Sequence, residues 1–232
     1  MKAPCPDCGA PTDQVPGMNI LFRCDPCEAI ANAAQDSRII EEKKHKREVF
    51  WKGICPEAFR ETNPKHPGLS QVGLDAARSW LQLPTTDKRG LGFIGWTGLG
   101  KTRILYLALR ACLDRGQKVM AIGSTEHARC AIRAAGGAGA DTRTQDSSRQ
   151  TIELCKRADV CLVDDLGKGT ATPRSIEAME ELIDYRTSHN KAILWSANAG
   201  GDWLAAYFGA DSGPPIVRRL SECSITPDLP RQ

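Results

Sequence analysis

The stretch GLGFIGWTGLGKT (residues 90–102) meets the phosphate-loop spacing G-x-x-x-x-G-K-[ST] at Gly95, Gly100, Lys101 and Thr102. The two glycines let backbone N–H groups turn toward phosphate oxygens. The lysine ammonium neutralises charge on the β and γ phosphates, and the threonine hydroxyl is a ligand type for Mg2+. The whole loop, Gly95, Trp96, Thr97, Gly98, Leu99, Gly100, Lys101 and Thr102, is therefore expected to bind nucleotide. Such loops serve small-molecule kinases, signalling switches and DNA-handling motors alike, so the loop alone leaves the use of the nucleotide open.

Mg2+ also needs an acidic element, and it belongs at the end of a buried strand. VCLVDD (160–165) supplies one, with Asp164 assigned to Mg2+ through water and Asp165 placed to orient or deprotonate a water. The apolar run ILWSAN (193–198) ends in Asn198, whose carboxamide can hold the attacking water or sense the γ-phosphate. Simple kinases do not require that amide. PPIVRRLSE (214–222) puts Arg218 and Arg219 on a short helix begun by proline, and on spacing alone solubility is the simpler role for the pair.

A second kind of chemistry lies at the N-terminus. Cys5, Cys8, Cys24 and Cys27 follow the pattern C-x2-C-x15-C-x2-C. Each C-x2-C turn presents two thiolates to one side, and four thiolates close a tetrahedron around structural Zn2+ with no open position for catalysis. The chain has ten cysteines in all. In a reducing compartment close pairs read as metal ligands before disulfides. Residues 1–28 carry Lys2 and Arg23 against Asp7, Asp13, Asp25 and Glu28, the wrong balance for gripping phosphate, so the finger is expected to contact a protein. His45, His66, His127 and His189 are isolated in sequence and read as ordinary surface or packed imidazoles.

These groups need a scaffold to hold them, and the pattern of the chain describes one. An apolar strand at 91–95 enters the phosphate loop, and KTRILYLALRACLDRG follows as a helix ended by Gly116. KVMAIGS is a strand, TEHARCAIRAAG a helix and GGAGADTRTQD a flexible loop. A helix at about 147–158, the strand VCLVDD, the helix PRSIEAMEELIDYRTSHN and the strand AILWSAN complete the alternation. Strands alternating with helices imply an α/β fold, a mostly parallel sheet covered on both faces. Before this core, residues 28–52 read as a charged helical connector, 53–70 as a linker and 71–82 as a short helix. The expected domains are a zinc-binding module at 1–35, a connector at 36–87 and a nucleotide-binding core at 88–232.

The 232 residues carry 31 basic and 28 acidic side chains, a net charge of +3, so any nucleic-acid contact must be local. Arg129 and Arg133 share one helix face, and Arg143 and Arg149 flank the flexible stretch. No aromatic residue is interleaved there for base stacking. MKAPCPDCGAPTDQ has no apolar signal core and no run is long enough to cross a bilayer, so a cytoplasmic protein without a membrane partner is expected.

Taken together, GWTGLGKT, CLVDDLG, SAN and IVRRL resemble the Walker A, Walker B, sensor-one and arginine-finger segments of AAA+ ATPases of the DnaC-type helicase loaders and the IstB-type transposition helpers. The resemblance spans roughly residues 88–225. An N-terminal four-cysteine finger also resembles phage and Bacillus-type loaders, where the appendage contacts the helicase. The resemblance implies an ATPase using ATP and Mg2+, with Lys101 and Thr102 on nucleotide and metal, Asp164 and Asp165 serving hydrolysis, and Asn198 sensing the γ-phosphate. It further implies that Arg219 reaches a neighbouring subunit's ATP, and that partners are a replicative helicase, single-stranded DNA and other copies of the chain. Two departures stand out. Asp165 replaces the usual Walker B glutamate, which implies slow hydrolysis, and a sensor-two arginine has no secure counterpart, since Arg231 lies almost at the end. The alternatives are an IstB-like helper delivering a transposase, a small-molecule kinase, and a zinc adaptor with no hydrolysis.

Overall fold

The structure is a computed structural model that describes residues 2–13, 23–84, 86–137 and 139–229. The chain divides into two units, Met1–Trp51 and Lys52–Gln232. In the first, β1 (Lys2–Pro4) and β2 (Pro11–Asp13) form an antiparallel hairpin with Lys2 opposite Asp13. Helix α1 (Asp25–Ile54) follows, and most of it belongs to this unit. Its 30 residues span about 45 Å. Pro26 sits in its first turn, where a missing N–H costs nothing, and Asp25 and Glu28 there oppose the helix dipole. Its apolar residues do not gather on one face: Ile30, Ile40 and Val49 are all exposed.

The second unit opens with α2 (Glu57–Arg60) and α3 (Gln71–Leu81), the latter capped by the Ser70 hydroxyl accepting from the Gly73 N–H at 3.3 Å. Then come β3 (Gly90–Ile94), α4 (Lys101–Asp114), β4 (Val119–Gly123), α5 (Ser124–Ala134), α6 (Thr142–Arg157) and β5 (Val160–Leu166). The chain continues through α7 (Pro173–Ser188), β6 (Ala192–Ala197), α8 (Gly201–Phe208), α9 (Gly213–Glu222) and β7 (Ser224–Ile225). Among the described residues no helix is long and apolar enough to cross a membrane.

The five core strands are all parallel, in the order β4-β5-β6-β3-β7. Leu91, Phe93, Leu162, Val163 and Leu194 are fully buried, as continuous apolar strands between helices must be. The chain leaves β3 for the far edge at β4 and then fills in β5 and β6 between them. Because every strand points the same way, the residues after β3, β5 and β6 emerge on one edge. Register sets Ile94 beside Ala197 and Leu166 beside the same Ala197. Open parallel sheets bind ligands at such a carboxyl edge, where the strand order reverses.

Arg186 of α7 is a buried cation with a structural task. It is 0% exposed, and its guanidinium donates to the carbonyls of Cys155 (2.6 Å), Lys156 (3.2 Å), Ala158 (3.0 Å), Asp159 (3.2 Å) and Ala192. It thus satisfies the orphan carbonyls at the end of α6 and ties them to the start of β6.

Sequence patterns and structure differ in places. The stretch expected to be a flexible loop, 136–146, ends early: the Asp141 carboxylate accepts from the Thr144 N–H at 2.7 Å and starts α6 at Thr142, five residues before the expected start. The linker at 53–70 contains the single turn α2. The hairpin β1–β2, helix α8 and strand β7 were not expected.

Candidate functional site

β3 delivers the phosphate loop to the carboxyl edge and α4 takes it away. Gly100 is the N-cap of α4 at φ +73°, and a Cβ there would lie 2.7 Å from Leu69 Cδ2 and 3.0 Å from the Gly68 carbonyl oxygen. Only glycine satisfies both demands. Lys101 follows at once and is 5% exposed. Its ammonium donates to the carbonyls of Gly95 and Trp96, each at 2.8 Å, and to Asn198 Oδ1 at 2.9 Å. Burial pushes its pKa below the usual lysine value, opposed by the charges of Asp165 and Asp164. Leu99 is buried, and its carbonyl accepts from Ser70 N–H at 3.4 Å. Trp96 is 60% exposed and lines a cleft of about 790 Å3 with Gly95, Asn198, Gly200, Thr226 and Leu229.

The two carboxylates at the end of β5 face this lysine across β6. Thr102 Oγ1 donates to Asp164 Oδ1 at 3.0 Å, and Ser196 Oγ donates to the same oxygen at 2.6 Å. Ser196 Oγ in turn accepts from the Asp165 N–H at 2.9 Å. Burial, aided by the neighbouring Asp165 charge, raises the Asp164 pKa, while the bonds from Ser196 and Thr102 counter it. The pairing of β5 with β6 shifts register between Val163 and Leu166, and Asp165 lies there at φ +57°. That left-handed backbone is uncommon for a side-chain-bearing residue, though aspartate adopts it more readily than most. Asp165 Oδ1 accepts from Asn198 Nδ2 at 3.2 Å, and Oδ2 accepts from Lys168 Nζ at 2.8 Å.

The structure therefore brings Lys101, Thr102, Asp164, Asp165 and Asn198 into one hydrogen-bonded network. Two further members, Ser196 and Lys168, were not expected there. Ser196 was visible as a lone hydroxyl in an apolar strand, since a fully buried hydroxyl needs partners. Lys168 could have been noticed as a lysine between two glycines directly after the acidic pair.

Arg219 is not part of the network. On α9 its Nη1 lies 2.9 Å from Asp184 Oδ1 and 4.0 Å from Glu180 Oε1, both on α7. The nearer contact is an ion pair without the alignment of a hydrogen bond, for neither atom has a hydrogen-bond partner. Arg218 is exposed and 3.8 Å from Glu222. On α5 and α6, Arg129 and Arg133 share Glu126 at 3.2 and 3.5 Å, and Arg149 pairs with Asp146 at 3.1 Å. Carboxylates on their own helices thus partly neutralise these arginines. Arg231 lies outside the described residues.

In the first unit, one sulfur from each of Cys5, Cys8, Cys24 and Cys27 lies within 4.8 Å of the other three. Cys8 Sγ and Cys24 Sγ are 3.5 Å apart, close to the edge of about 3.8 Å in a tetrahedron with Zn–S bonds of about 2.3 Å. Tight turns make this possible: the Gly9 N–H donates to the Cys5 carbonyl at 2.9 Å, and the Cys5 N–H to the Ala10 carbonyl at 2.7 Å. The Cys24 N–H points at Cys5 Sγ from 3.5 Å, and this bond is the main reason the Cys5 thiol falls to a pKa of about 6. Arg23 and Asp7, paired at 2.6 Å, link the two turns. The donor set and spacing fit zinc, and it is the only group of its kind among the described residues.

No family model matches the chain, and no curated protein matches it. Solved structures do resemble it. The crystal structure of the DnaC helicase loader has a TM-score of 0.60 at 18% identity, covering 74% of this chain and 98% of that one. DnaI has a TM-score of 0.60 at 17% identity, covering 76% and 95%. AMPPCP-bound DnaA from Aquifex aeolicus has a TM-score of 0.59 at 16% identity, and the chain spans about half its length, 51%. At these identities the likeness is one of fold. The second unit shares the parallel α/β fold of these solved structures, and a four-cysteine cluster precedes it in the sequence.

Proposed function

We propose that the chain is an ATP-dependent loader of a replicative DNA helicase, with Zn2+ holding the cysteine module and ATP with Mg2+ bound by the core. The observation that carries the reading is the bridge from Lys101 through Asn198 to Asp165. It joins the phosphate loop to the acidic strand end through a carboxamide, which a simple kinase does not need. A phosphate arriving at the loop competes with two carbonyls and Asn198 for the same ammonium protons. Its arrival draws the ammonium away from Asn198 Oδ1 and so alters the bridge that ends, through Asn198 Nδ2, on Asp165.

In this reading Thr102 and Asp164 would hold Mg2+, which supplies charge neutralisation between the phosphates. Asp165 orients or deprotonates the attacking water, Asn198 reads the γ-phosphate, and Trp96 forms the cleft wall. Arg219 serves a neighbouring copy's nucleotide once it leaves Asp184. The domain division into a zinc module, connector and ATPase core is part of the same proposal, as is a cytoplasmic setting. DnaC is named a helicase loader, and the initiator DnaA has been solved with AMPPCP and single-stranded DNA. These neighbours support helicase and single-stranded DNA as the partners. With Arg129, Arg133 and Arg149 already paired to carboxylates, DNA binding is expected to be weak and salt-sensitive.

The test is affinity capture from a replicating host with ATP present, using wild type and Lys101→Ala. The reading expects the replicative helicase with the wild type and much less with the variant. Capture of a transposase instead would replace it with the transposition-helper reading.

A further inference from the structure

The segment after Asp165 bears on how the site is controlled. Lys168 stands between Gly167 at φ +84° and Gly169 at φ +94°. Its ammonium occupies Asp165 Oδ2 at 2.8 Å while Asn198 occupies Oδ1. A water polarised by Asp165 has to share the carboxylate with donors from the protein, since each oxygen already accepts one, and on Oδ2 that donor is an ammonium. The ammonium is the stronger of the two, being charged.

The backbone of the same lysine is gripped from two other directions. Its carbonyl accepts from Thr125 Oγ1 of α5 at 3.3 Å and from the Tyr207 hydroxyl of α8 at 3.4 Å. The Trp203 ring, stacked on Tyr207, packs so closely on Gly167 that a Cβ there would lie 2.4 Å from it. Two helices outside the phosphate loop thus contact the backbone that carries this side chain. Meanwhile the lysine side chain is 66% exposed. Exposed pairs of this kind contribute little to stability, so the contact opens readily and is poorly suited to a purely structural role.

We propose that Lys168 is a positioning residue that restrains Asp165, and that the Gly167–Gly169 hinge, held by α5 and α8, moves it off when either helix is engaged. This rests on reading Asp165 as the hydrolytic carboxylate. It assigns to an otherwise solvent-exposed lysine the task of keeping turnover low until a partner binds.

Steady-state ATP hydrolysis of the full chain with Mg2+ tests it, for wild type, Lys168→Met and Lys168→Arg, alongside nucleotide Kd from a fluorescent ATP analogue. The expected result is a kcat raised roughly two- to fivefold in Lys168→Met, the scale an exposed ion pair allows. Nucleotide Kd should not change, and Lys168→Arg should behave as wild type because it keeps the pair. An unchanged or lower kcat in Lys168→Met overturns the restraint, the lower value assigning Lys168 to phosphate stabilisation instead. Asp165→Asn separates the two levels of the argument. If Asp165→Asn loses turnover while Lys168→Met leaves it unchanged, only the restraint fails. If Asp165→Asn retains turnover, the role given to Asp165 fails first.

Discussion

Lys101 donates all three of its ammonium protons to oxygens of its own chain, whereas His127 of α5 donates none. His127 is 0% exposed, and neither ring nitrogen has a hydrogen-bond partner among the described residues. Burial, with Lys156 adding to it and Glu181 opposing, lowers its pKa from 6.5 to about 4. The fold therefore holds the neutral ring, while the unfolded chain takes up a proton near pH 6.5. Its stabilising effect is complete above that value and is lost as pH falls through about 4, a total of about 3 kcal/mol. His127→Leu keeps the volume and removes both unpartnered nitrogens. Urea unfolding at pH 7 and pH 4.5 should show a smaller loss of stability in the variant than in wild type. Equal losses would place the acid sensitivity elsewhere.

Among the elements, the cysteine turns and the strand ends hold the candidate sites, and they were legible to different degrees. Replacing Cys24 with Ser removes one of four sulfurs and should release zinc, with about one Zn per chain in the wild type falling toward none. Nucleotide binding by the core should persist, as measured with the same fluorescent analogue. A variant that kept zinc but lost nucleotide would show that the two units do not act separately. Strands β3, β5 and β6 and the helices between them could be read because continuous apolar runs alternate with 3.6-residue periodicity. Strand β7 is two residues long and α8 starts at a glycine pair, so neither has a pattern of its own. The early start of α6 depends on one carboxylate cap at Asp141, in a stretch whose glycines otherwise read as loop. Within the site, the residue types after β5 and β6 were plain. The restraint by Lys168 was not, because it exists only once β5 turns at φ +57° and aims Asp165 back along its own loop.

For the molecule as a whole, the open matter is whether the site is complete in one chain. Arg219 is held by Asp184 and Glu180 on its own α7, away from Lys101 and the paired carboxylates. If it serves a second copy, Arg219→Ala should bind nucleotide as wild type does and lose turnover, since a finger supplied in trans contributes on the order of 10^3-fold or more. Mixing that variant with Lys101→Ala should restore part of the rate, because each supplies what the other lacks. Loss of nucleotide affinity in Arg219→Ala alone would make the residue part of its own chain's packing. No restored rate in the mixture would exclude the shared site.

The link between Lys101 and Asn198 spans 97 positions of sequence and closes only when β3 and β6 lie side by side. A ligand recognised by both residues can therefore bind the native chain but hardly the unfolded one. By mass action its saturation stabilises the fold, by about 2.7 kcal/mol at a hundred times its Kd. Lifetime against proteolysis then follows from ligand supply. As the ligand is depleted, the fraction of chains open to cleavage rises.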